Sequence, residues 1–145
     1  MKILILNYDE VVELLPMKEC IALMREALVK LAGGEVHQPL RTIVRPPDAA
    51  GVMGLMPSYV GGDQAAYGLK TVCVFPGNPA KGKDAHQGAV LLFSAETGEL
   101  LALMNASAIT AVRTAAVSGV ATDVLAREDA SDRSPDPRLP PEPSG

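Results

Sequence analysis

The chain has 145 residues, 48% of them apolar and only 3% aromatic, with 13 Gly, 12 Pro and no Trp, enough for one modest domain with a core. Thirteen basic against seventeen acidic side chains give a formal charge of -4, which excludes the whole-chain basic field that draws nucleic acid or anionic lipid. Residues 128–145 hold five acids and two bases, so residues 1–127, with twelve acids and eleven bases, are almost neutral.

Met1 to Leu6 has one Lys and too short an apolar run for a signal peptide, and no stretch approaches the ~20 apolar residues of a membrane span. A soluble, cytoplasmic protein is expected. Asn7 followed three residues later by Glu10 predicts a capping pair and a short helix through Val11, Val12, Leu14 and Leu15. Between Pro16 and Gly34, Cys20, Ile21, Met24, Leu28 and Leu31 recur at three- and four-residue steps among charged residues, the pattern of an amphipathic helix. Pro16 suits its first turn and Gly33-Gly34 its stop. Cys20 and Cys73 stand 53 positions apart with no zinc-ligand spacing, so reduced, buried thiols and no metal are expected.

From Gln38 to Met104 the pattern changes to short runs broken by Gly and Pro, which reads as strands over 41–45, 51–56, 68–75, 89–93 and 99–104. Pro46-Pro47 and Met56-Pro57 are expected to end strands. Ser94-Ala95-Glu96-Thr97-Gly98 should close an antiparallel hairpin. The breaker-rich segment 76–88 is long for a connection, as functional loops often are. A second long helix is expected from Ala106 to about Arg127, capped by Asn105 or Ser107, with Ile109, Val112, Ala116 and Val120 on one stripe. Residues 128–145, with five prolines and Leu139 as the single bulky apolar side chain, bury too little to offset their ordering entropy and are expected to be disordered. The class is α+β: N-terminal helices, a mainly antiparallel sheet, then one long helix, with domain boundaries of 1–127 and 128–145.

Three cations stand out. Lys70 shares a strand face with Val72 and Val74, so it either marks the strand's exposed start or meets an anion. Arg113 falls near the positive end of an alanine-rich helix and forms a polar face with Thr110 and Thr114, either a carboxylate or phosphate site or a solvated surface. Arg41 opens a strand, where an exposed arginine is ordinary. His37 and His86 are loop-borne and incidental by default. No Ser-His-Asp arrangement, GxGxxG turn or HExxH pair occurs. By themselves these residues support an anion-binding α+β domain.

Five blocks occur in one order: Leu55-Met56-Pro57, Gly68-Leu69-Lys70-Thr71-Val72, Phe75-Pro76-Gly77-Asn78-Pro79, Thr97-Gly98-Glu99-Leu100-Leu101-Ala102, and Ile109 through Ala116 as Ile-Thr-Ala-Val-Arg-Thr-Ala-Ala. In these the chain resembles the ornithine cyclodeaminase and mu-crystallin family over about residues 1–127. The resemblance implies an NAD- or NADP-dependent homodimer exchanging hydride at the carbon that bears an amino or imino group: a cyclodeaminase, an amino acid dehydrogenase, or a ketimine or cyclic imine reductase. It implies that Arg41, Lys70 and Arg113 hold the substrate carboxylate, that Lys70 is also the catalytic residue that shuttles a proton, and that Thr110, Arg113 and Thr114 touch the cofactor. Ornithine-type members carry an acidic residue just ahead of the Leu-Met-Pro block, where this chain has Gly54, so another amino or imino acid is expected. Members continue into a Rossmann domain after the equivalent of Ser131. Here Asp132-Arg133-Ser134-Pro135 follows, so a truncated product is expected that lacks the dinucleotide turn, does not bind the cofactor stably and is inactive alone. The alternative is a non-catalytic ligand-binding or dimerisation module.

Overall fold

The computed structural model describes residues 2–127. The segment 128–145, expected to be disordered, lies outside them. The chain runs β1 (Leu4–Leu6), α1 (Tyr8–Leu14), α2 (Met17–Ala32), β2 (Val36–His37), β3 (Thr42–Val44), β4 (Val52–Val60), β5 (Ala66–Val74), β6 (His86–Ser94), β7 (Leu100–Asn105) and α3 (Ala106–Leu125). This is the α+β arrangement expected, with two short strands the sequence did not announce, β1 and β2.

Local chemistry fixes the element ends. Asn7 Oδ1 accepts from the Glu10 amide at 3.0 Å while Glu10 Oε2 accepts from the Asn7 amide at 2.8 Å, a complete capping box on α1. α2 starts after Pro16 and stops at the Gly33–Gly34 pair. Asn105 Oδ1 accepts from the Ala108 amide at 3.0 Å and so caps α3. The β6–β7 hairpin closes as predicted, with Gly98 at φ 72° and Ser94 Oγ accepting from the Glu96 and Thr97 amides.

The sheet order is β1-β7-β6-β5-β4-β2, with β3 also paired to β4; only β1–β7 is parallel. Strand β4 corrects the sequence reading, because Pro57 lies inside it rather than at its end. Its outer edge pairs with β3 at residues 53–55 and with β2 at Tyr59 and Val60. Pro57 falls between those stretches, where a missing N–H interrupts no ladder. His86 is likewise the first residue of β6 rather than part of the loop, whose centre forms a short 3-10 helix at Pro79–Lys81.

Register sorts the residues onto two faces. Met56, Lys70, Val90 and Met104 stand in one row, next to the row of Gly54, Val72 and Gly88. α3 packs over β6, β5 and β7 and against α1 and α2, covering this face. The deepest residues are small or branched: Val11, Cys20, Val72, Ala102, Ala106, Ala108, Ala116 and Val120. Both thiols are free, but only Cys20 is buried; Cys73 is half-buried on the opposite face. There Pro57, Leu69, Leu91, Leu103 and Ile5 form a continuous apolar row, with Ile5 66% exposed. Contrary to the sequence expectation, α3 is long and apolar enough by length and composition to cross a membrane, with a mean hydropathy of 1.3, although here it lies on the sheet and α2.

Candidate functional site

Lys70 is the fifth of nine residues in β5, so the reading that it marks an exposed strand start does not hold. Its cross-strand partners Met56 and Val90 are apolar and offer it no anion. Its charge meets two others instead. Arg113, two turns into α3, and Arg41, just ahead of β3, line the same cavity of about 340 Å3 as Lys70, together with Gln38, Met56, Ser58, Gly68, Leu69 and Val90. Three cations from separate stretches of chain therefore converge, and the lining contains no carboxylate. None of the three forms an ion pair among the described residues.

The electrostatic cost is visible at Lys70. Burial first, then the Arg113 guanidinium, then that of Arg41 push its pKa below the ordinary lysine value. Three like charges round one space are held together by the fold, since their mutual repulsion opposes it. A bound anion relieves that repulsion. Two guanidiniums and an ammonium supply a planar fork and a point charge, a set suited to a carboxylate or phosphate.

The sequence-predicted residues do not all meet here. Thr110 faces a separate cavity of about 250 Å3, with Tyr8, Asp84, His86 and Ser107, which shares no lining residue with the cationic one. Its hydroxyl donates to the Ala106 carbonyl at 2.6 Å, and the Ser107 hydroxyl donates to the His86 carbonyl. Thr114 is exposed one residue beyond Arg113. His37 lies in β2, outside the cationic cavity. The described residues hold no group of three or more His, Cys, Asp or Glu able to bind a metal ion. A larger cavity, about 440 Å3, is bounded by Arg45, Pro46, Pro47 and Gly51, but one cation among prolines and alanines offers less chemistry than the smaller site.

Gln38, Met56 and Ser58 escaped the sequence reading. Met56 and Ser58 are two apart and share a strand face, so recognising that β4 continues through Pro57 would have placed them beside Lys70. Nothing in the sequence singles out Gln38.

Known proteins resemble this chain in sequence and in fold. The profile of the ornithine cyclodeaminase/mu-crystallin family matches residues 1–133. Mouse ketimine reductase mu-crystallin is 42% identical over 92 residues, 63% of this chain and 29% of that protein. The structure of Thermococcus litoralis Δ1-pyrroline-2-carboxylate reductase in complex with NADH and L-proline superposes with a TM-score of 0.81 at 40% identity, covering 88% of this chain and 39% of the other. An archaeal alanine dehydrogenase dimer with bound NAD gives 0.81 at 36% identity, over 89% and 39%. The chain thus spans well under half the length of these relatives.

Proposed function

The chain belongs to the ornithine cyclodeaminase/mu-crystallin family, and on that premise we propose that it forms the substrate-gripping and dimerising part of an NAD(P)-dependent enzyme acting on an amino or imino acid. The observation that carries the reading is the convergence of Arg41, Lys70 and Arg113 on one cavity. These cations hold the substrate carboxylate, and fixing it from several sides orients the adjacent carbon, which bears the nitrogen, before any chemistry begins.

A nicotinamide dinucleotide, when bound, donates or accepts the hydride at that carbon. Lys70 is the group here suited to moving a proton to or from the substrate nitrogen, because its lowered pKa brings it closer to neutrality than an ordinary lysine. Arg113 lines the cavity and can face substrate and cofactor together. Thr110 fits the cofactor role less well: its hydroxyl proton is engaged by the Ala106 carbonyl, a bond it must break to donate to a phosphate. Thr114, exposed beside Arg113, has no such commitment in its side chain.

Self-association has its own support. The apolar row Pro57, Leu69, Leu91, Leu103 and Ile5 lies on the sheet face opposite α3, and a second copy of the same face would remove it from water.

Calorimetric titration with pyruvate and with its uncharged amide tests the carboxylate grip. The acid should bind and the amide should not, and Arg113→Ala should weaken the acid by about tenfold or more, the usual cost of losing a hydrogen bond to a charged group. Equal binding of acid and amide would overturn the reading.

A further inference from the structure

A second concavity, of about 370 Å3, runs between α2 and α3 and is walled mainly by apolar side chains, among them Leu23, Ala27, Leu31, Val36, Val60 and Val117. Gln38 and Arg113 belong to its wall and to that of the cationic cavity, so the two spaces meet at these residues. The Glu26–Lys30 pair, 3.0 Å apart, also borders it and satisfies its own charge. A ligand whose acid group lies among Arg41, Lys70 and Arg113 therefore sits beside an apolar trough that shares Gln38 and Arg113 with its own cavity.

From this junction we infer that the trough is a side-chain subsite, and that the preferred ligand is a 2-oxo, imino or amino acid with an extended apolar side chain. This rests on the carboxylate reading above. The division of labour is that of small-molecule sites generally, in which few polar groups fix orientation and an apolar wall supplies affinity in proportion to the area it covers. Leu23, 54% exposed, and Leu31, 46% exposed, provide that area on α2. Val117, one turn beyond Arg113 on α3, provides it on the opposite wall.

The test is calorimetric titration of the 145-residue chain with pyruvate, 2-oxobutyrate, 2-oxohexanoate and 2-oxooctanoate. Affinity should rise about fourfold for each buried methylene. Ala27→Phe and Val117→Phe, which fill the trough from its two walls, should each flatten that rise, whereas Arg113→Ala should lower affinity across the whole series. One affinity for all four acids, or a rise that persists in both filled variants, overturns the subsite and leaves the carboxylate grip standing. Failure of all four acids to bind overturns the grip and the subsite together.

Discussion

Arg113 on α3 and Lys70 on β5 line one cavity, and Arg113 is the stronger of the two guanidiniums that, after burial itself, lower the Lys70 pKa. Helix and strand bring them together although they lie 43 positions apart in the sequence. Removing one should be felt at the other. Arg113→Ala is expected to raise the Lys70 pKa toward the ordinary lysine value, read from the pH dependence of its Cε resonance. An unmoved titration would show that the two charges do not share a space.

The same shift has a consequence for stability. A lysine that binds its proton less tightly when folded leaves the unfolded chain holding more protons between the two pKa values. Stability then rises with pH across that window, whose upper end is the ordinary lysine value of 10.5. Urea unfolding at pH 7 and at pH 10 should show this contribution as a difference between the parent and Lys70→Met. The variant should be the more stable at pH 7, having lost a repelled, half-buried charge, and its advantage should shrink at pH 10. A constant difference would contradict the assignment.

Gly88 and Gly54 flank Val72 across the sheet and should respond differently to substitution. A Cβ at Gly88 would collide with the Thr71 carbonyl oxygen and come within 2.9 Å of Val72 Cα, both backbone atoms. At Gly54 it would come within 3.3 Å of the Met56 methyl, the far end of a flexible side chain. Gly88→Ala is expected to cost about 3 kcal/mol and Gly54→Ala less than about 1 kcal/mol by chemical denaturation. Equal costs would mean that β5 and β6 are farther apart than described.

Asn7→Ala removes one arm of the α1 capping box and should cost about 1 kcal/mol. A loss below a few tenths, measured by denaturant midpoint, would indicate that packing of α1 on α3 and β7 already fixes the helix start.

Leu91→Glu places a charge in the middle of the bare apolar row. If that face joins two copies, sedimentation velocity should show the parent as a dimer and the variant as a monomer. A monomeric parent would refute the interface.

Much of this was legible in the sequence wherever short-range chemistry decides. The Asn7–Glu10 pair, the period of α2, the Gly98 hairpin and the Asn105 cap all act within a turn or two, and each element formed where its signals stand. β1 and β2 were not legible, since strands of three and two residues owe their existence to partners in β7 and β4 distant in the chain. Pro57 misled for a related reason: a proline ends a strand only where a neighbour needs its N–H, and the gap between β2 and β3 is a tertiary fact. Lys70 and Arg113 could be named from their settings and Arg41 from the family resemblance, but the three became one site only through register and helix placement. Thr110, drawn by helical spacing into the same group, faces another cavity.

We propose that Arg41, Lys70 and Arg113 close on a single carboxylate. A crystal structure of the chain grown with pyruvate tests it most directly. The carboxylate should lie within hydrogen-bonding distance of Lys70 Nζ and of both guanidiniums. A well-ordered pyruvate bound elsewhere, with the three cationic tips turned to solvent, would contradict it.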